Sequence, residues 1–222
     1  MGQPAKPSFY VGCMNAMSTF SHVLMGAAAI LAFALVEEPN PSVYNAHVYI
    51  TVIGVTLLCS QAILSVNPHV GFEDNFMYPQ KSKLYWIIQI IGCTLTLVGA
   101  WLGIAAMPGR IAPGLIYYPH GMVGFVASIL TAITLVGAIT NLLLEEKLKS
   151  STKSLYVIVG TLTIIMTYVA MVLQFNRAAR NAVIYRSGTI AITVGLVFAI
   201  LPFVALVVMT GARVIVTGSI KS

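Results

Sequence analysis

The chain has 222 residues, 58% of them hydrophobic, with twelve basic and six acidic residues and a mean hydropathy of +0.91. Charged residues make up only 8%, against roughly 25% in a soluble domain. A soluble enzyme, a disordered tail and a nucleic-acid-binding domain are therefore excluded.

The formal net charge of +6 forms no basic stripe with interleaved aromatics, so no nucleic-acid partner is expected. The basic residues sit in short gaps between apolar runs, where they orient membrane helices. Residues 1–8 are polar. No small-residue cleavage site follows the first apolar run, so no cleaved leader is expected. Lys6 stands where N-myristoylation at Gly2 wants Ser or Thr.

About 20 apolar residues are needed to cross roughly 30 Å of hydrocarbon. The segments that qualify are 11–36, 45–66, 84–107, 115–144, 154–175 and 188–210. The first ends at Glu37-Glu38-Pro39, the second at Asn67-Pro68 and the third at Pro108-Gly109. The fourth ends at Glu145-Glu146-Lys147 and the fifth before Arg177, while Pro202 is expected to kink the sixth. Backbone groups in lipid must be satisfied within the segment, so these are helices. Membrane-barrel strands would be about 10 residues long and would alternate, which these do not.

The expected fold is an all-α integral membrane protein. It has six transmembrane helices in one domain, residues 1–222, with helices 2–5 as a central four-helix bundle flanked by helices 1 and 6. With six spans both termini share one side. That side holds Lys6, Lys81, Lys83, Lys147, Lys149, Lys153, Arg213 and Lys221; the other holds Arg110, Arg177, Arg180 and Arg186. Eight against four places both termini on the cytoplasmic, insertion side.

Ionisable groups inside a span are functional suspects. His47 opens the second span and His120 opens the fourth. Both spans start on the non-cytoplasmic side, so the two imidazoles lie at similar depth. Two such histidines on facing helices can hold a haem between them; two interfacial histidines without metal are the plainer alternative. His22 is about 22 Å below the outer face by helix rise, and reads as a buried histidine bonded to a neighbouring helix. His69 follows Pro68 in a loop and reads as solvated. Cys13, Cys59 and Cys93 lie in apolar surroundings without a CxxC or zinc spacing, and read as small buried residues.

The sequence resembles the cytochrome b561 family, in particular its short stand-alone members. The resemblance rests on His47 in Asn45-Ala46-His47-Val48, on Lys81-Ser82-Lys83 before the third span and on Trp86-x-x-Gln89. It continues through Tyr118-Pro119-His120-Gly121 and the Glu146-Lys147 end of the fourth span. It implies a six-helix, usually dimeric electron carrier with two haems b, passing electrons from cytoplasmic ascorbate to an acceptor across the membrane.

One haem of such proteins is held by helices 2 and 4 and the other by helices 3 and 5. No histidine lies between His69 and His120, and none follows His120. The third-span ligand of the family falls near Tyr85 and the fifth-span ligand near Val157. Tyrosine can bind haem iron, but valine cannot. The resemblance therefore implies at most one haem b per chain, with His47 and His120 as iron ligands and the inner haem missing. Arg110, Tyr117, Tyr118 and Asn45 lie in the layer where haem propionates want cations or hydroxyl donors. Lys81 and Lys83 occupy the place that attracts an ascorbate-like donor.

The expected function is a membrane electron-transfer protein with a single bis-histidine haem on the non-cytoplasmic side. The alternative is a diverged structural or accessory subunit of a larger membrane complex, with one haem or none. Loss of the inner pair argues against complete trans-membrane oxidoreduction. The expected partners are the lipid bilayer and either a second copy or a larger complex. A transporter is disfavoured, because the spans hold almost no charge to line a polar path and no broken-helix pair.

Overall fold

The computed structural model describes residues 9–34, 42–65, 78–106, 118–144 and 150–181. The sixth span with Pro202, His69, Arg110 and Tyr117 lie outside the described residues. Among the described residues every regular element is helical. They are α1 (Phe9–Ala34), α2 (Val43–Val52), a π-helical stretch (Ile53–Cys59), α3 (Ser60–Ser65), α4 (Tyr78–Ala105), α5 (Pro119–Leu144) and α6 (Ser150–Asn181). The α2, π-helical and α3 segments follow one another without a break and together form the second span.

Stretches long and apolar enough to cross a membrane are Asn15–Ala34, Val43–Ala62, Lys83–Ala105 and Pro119–Leu144, and α6 carries a shorter apolar stretch, Ile158–Gln174. The protein is an all-α membrane protein. Its helices are built inside out relative to a soluble bundle. On α5, Met122, Phe125, Val126, Ile129, Ile133 and Val136 point outward, while Thr131, Thr134 and Asn141 are buried. Lipid solvates the apolar face, and packing and polar contacts replace the hydrophobic drive between helices.

Buried threonine hydroxyls on α5 and α6 satisfy the demand that lipid imposes on polar groups. Thr131 donates to the Ala127 carbonyl at 2.7 Å and Thr163 to the Val159 carbonyl at 2.8 Å. Thr134 and Thr163 then meet across α5 and α6 at 2.8 Å.

α4 packs on α2, on the π-helical stretch and on α5, and α5 packs on α6. Ser60 at the start of α3 closes the ring by sharing a hydrogen bond of 3.1 Å with the Tyr168 hydroxyl of α6. α1 lies against α2 and the π-helical stretch, where Ala29 and Ala32 pack with Val52.

Several boundaries differ from the sequence reading. α4 starts at Tyr78, so Lys81 and Lys83 ride on its first turns rather than preceding it. Pro79 beside the start fits, since proline is tolerated in a helix's first turn. α5 starts at Pro119, which places His120 in its first turn rather than a turn inside. α6 runs to Asn181 and carries Arg177 and Arg180 beyond the apolar stretch, where cations suit the negative end of a helix dipole. The π-helical stretch was not anticipated.

Ser42 caps α2: its backbone is extended and its Oγ accepts the Asn45 N–H at 3.1 Å. Ser42→Ala is expected to cost about 0.5–2 kcal/mol, read as a lowered Tm. An unchanged Tm would show that the cap contributes nothing.

Candidate haem site at one end of the bundle

The second span and α4 approach closely because glycines line their seam. A Cβ on Gly54 would lie 2.8 Å from the Gly92 carbonyl oxygen, and one on Gly99 would lie 2.8 Å from the Thr51 backbone nitrogen. At Gly103 a Cβ would sit 2.7 Å from Nδ1 and 2.8 Å from Cε1 of His47. The absence of that methyl lets the His47 ring lie flush on α4.

His47 Nδ1 donates to the Gly99 carbonyl at 2.7 Å. His120, in the first turn of α5, does the same one helix further on: its Nδ1 lies 2.7 Å from the Ala170 carbonyl of α6. Each histidine is thus held by a helix that itself carries no histidine, His47 by α4 and His120 by α6. A carbonyl can only accept, so it fixes the proton on Nδ1 and leaves the lone pair on Nε2. This is the usual outer arrangement of a metal-ligating histidine.

The two ring centroids lie 6.3 Å apart, with the planes inclined at 66°. Two metal–imidazole bonds of about 2 Å, each extended by roughly 1 Å to its ring centre, span roughly 6 Å. Donor type, tautomer and separation therefore fit an iron held from both sides. On α5, a Cβ at Gly124 would meet nothing within 4 Å, so there is open space one turn below His120. Among the described residues no group of three or more His, Cys, Asp or Glu converges. A pair of nitrogens does not complete a zinc site, but two axial nitrogens are all that a haem asks of the protein.

Tyr44 stands beside the pair. Its ring centroid is 6.2 Å from that of His47, and its hydroxyl accepts Gln174 Nε2 at 2.7 Å. Neither Tyr44 nor Gln174 was singled out in the sequence; a tyrosine one turn before a candidate ligand was the available signal. Asn45 is buried in the first turn of α2, and Tyr118, which is exposed, directly precedes α5.

His22 departs from its expected place. It is exposed rather than buried, and its Nδ1 bonds the Ser18 carbonyl of its own helix at 2.7 Å. With its partner four residues back on α1, it makes no bond to a neighbouring helix there.

The level of the bundle away from the histidines is built differently. Tyr85 and Trp86 meet edge to face at 4.4 Å, and Trp86 meets Tyr156 at 4.9 Å. Tyr156 fits because Gly137 of α5 has no side chain; a Cβ there would fall 2.6 Å from Tyr156 Cε2. Tyr85 lies 14 residues before Gly99 on α4, so this aromatic layer is about 21 Å below the histidine layer. Val157 is carried on α6, and its side chain lies outside the described residues.

Comparisons with curated proteins and with solved structures gave no match. Comparison with family descriptions gave one: residues 46–181 match the family described as eukaryotic cytochrome b561. The matched segment begins one residue before His47 and ends with α6, so it contains both histidines, both carbonyls that hold them and the aromatic layer. With more than half its length matched, and with helices that suit a membrane, the chain belongs to the cytochrome b561 family.

Proposed function

We propose that the chain is a b-type membrane cytochrome that carries one haem per chain, on the side of the membrane opposite its termini. Membership of the family supports the coarser reading, a b561-like electron-transfer protein in a membrane. The finer reading rests on one observation: His47 and His120, 6.3 Å apart, each with Nδ1 committed to a backbone carbonyl. These residues would hold haem b through Nε2. A haem held on both faces supplies one-electron transfer without an open coordination position. The protein's part is to fix ring orientation through Gly99 and Ala170 and to keep water from the pair. Arg110, Tyr118 and Asn45 are the groups assigned to the propionates. At the inner level, the lack of histidine and the aromatic packing of Tyr85, Trp86 and Tyr156 support the absence of a second haem.

Haem content tests this. Pyridine haemochrome on the purified chain is expected to return one haem b per chain, with a reduced-minus-oxidised α band of the low-spin type. Two haems per chain would refute the single-site reading. No haem at all would favour the second reading, an accessory subunit of a larger membrane complex, to which the filled inner layer also lends support.

Sidedness is a separate prediction. In sealed membranes, an impermeant thiol reagent applied from the non-insertion side is expected to label a cysteine introduced at Asn40 and to spare one at Gln3. The reverse pattern would overturn the eight-to-four argument. The lysines at 81 and 83 then face the insertion side, where an ascorbate-like donor would lack an inner haem to reduce. Either a second copy of the chain or a larger complex supplies the remaining partner surface.

A further inference from the structure

The histidine pair is closed differently on its two sides. Against α4 the second span is seated on bare glycines, with the His47 ring flush over Gly103. Towards α6 the link at this level is made by side chains. Tyr44, the second residue of α2, stands one turn before His47, and the two ring centroids lie 6.2 Å apart. Its hydroxyl accepts Gln174 Nε2 at 2.7 Å. Gln174 ends the apolar stretch of α6, one turn beyond Ala170, whose carbonyl holds His120. One hydrogen bond therefore joins the helix that carries His47 to the helix that holds His120, at the edge of the apolar layer.

We propose that Tyr44 and Gln174 form a strap that positions His47 against His120 and shields the pair from water on the α6 side, an inference that rests on the haem reading of that pair. His47 is fixed to α4 through Gly99 and His120 to α6 through Ala170. Neither of those bonds spans from one histidine unit to the other, so the separation of the rings depends on how α2 sits against α6. The strap ties these two helices one turn above the rings. Tyr44 is 42% exposed, as suits a side chain at the rim whose ring flanks His47 while its hydroxyl reaches across the seam. Both residues are positioning residues, since they act on the iron site through His47.

Loss of the strap has two consequences. The His47 ring is opposed less firmly to His120, so the hold on iron weakens. Water also reaches the pair, and water beside the site favours the more highly charged ferric iron, which lowers the midpoint potential. A bond that served only to hold the helices together would lower stability without moving the potential. Ser60→Ala supplies that comparison, because it removes the bond to Tyr168 elsewhere between the second span and α6.

The test uses the protein as purified, in lipid nanodiscs, with Tyr44→Phe, Gln174→Leu and the double variant. Haem transfer to excess apomyoglobin should be severalfold faster in each single variant, and the midpoint potential should fall. The double variant should match the single ones rather than sum them, because either change breaks the same bond. Ser60→Ala should lower the Tm and leave the potential in place. Wild-type transfer rates and potentials in both single variants would overturn the strap. So would effects that add in the double variant, or faster transfer at an unchanged potential. Where one single variant does not fold, the other decides. If the protein purifies without haem, the haem reading fails and diethyl pyrocarbonate tests the strap alone, since it modifies a free imidazole Nε2. Severalfold faster modification of His47 in both variants, with His22 unchanged, would support the strap, and equal rates would overturn it.

Discussion

Replacing either His47 or His120 by alanine is expected to abolish the low-spin haem spectrum. One remaining imidazole leaves the iron five-coordinate, high-spin and weakly held. The loss should be essentially complete, because no other histidine among the described residues is placed to substitute. His22, the third described histidine, bonds its own helix at Ser18, so His22→Ala should leave the spectrum intact. Added imidazole should restore part of the low-spin signal in the alanine variants, since it can occupy the space left by the ring. That rescue separates loss of a ligand from loss of the fold. An unchanged spectrum in His120→Ala would remove the assignment altogether.

Gly99→Ala is expected to have a large effect for a single added methyl. The new Cβ would meet the Thr51 side chain and lie 2.8 Å from its backbone nitrogen and 3.1 Å from its Cα. Backbone atoms cannot rotate aside, so α2 and α4 must separate. Overpacking of this kind costs about 1–3 kcal/mol, a fall of roughly 3–10 °C in Tm. The Gly99 carbonyl that holds His47 moves with the seam, so haem retention should fall together with stability. Gly103→Ala should divide these effects. Its Cβ meets the His47 ring rather than backbone, so it should disturb the spectrum more than the Tm. Gly26→Ala, where a Cβ meets nothing within 4 Å, is the control and should be neutral or slightly stabilising. A wild-type Tm and spectrum in Gly99→Ala would show that the two helices are not in such close contact.

Much of this protein was determined by its sequence alone. Long apolar runs with 8% charge dictate membrane helices, because lipid leaves the backbone no other way to satisfy its hydrogen bonds. The positions of His47 and His120 near the starts of parallel helices sufficed to pair them in depth, since helix rise converts sequence offset into height. That the third and fifth spans carry no histidine was legible directly, and it bears on a second haem only through the resemblance to the family.

Helix ends were less legible. α4 begins at Tyr78, ahead of Lys81 and Lys83, because helix formation continues through turns that carry no apolar signal.

Only the tertiary structure decided the rest. It decided which carbonyls hold the histidines, Gly99 and Ala170, because such contacts join residues about 50 positions apart and depend on how adjacent helices are rotated. It decided that Gly92, Gly99 and Gly103 are seam residues while Gly26 is not, since a glycine's role depends on what its missing Cβ would touch. The π-helical stretch at Ile53–Cys59 and the shared buried cluster of Cys59 and Cys93 belong here too. Both arise from close packing of the second span on α4, and no local propensity encodes that contact.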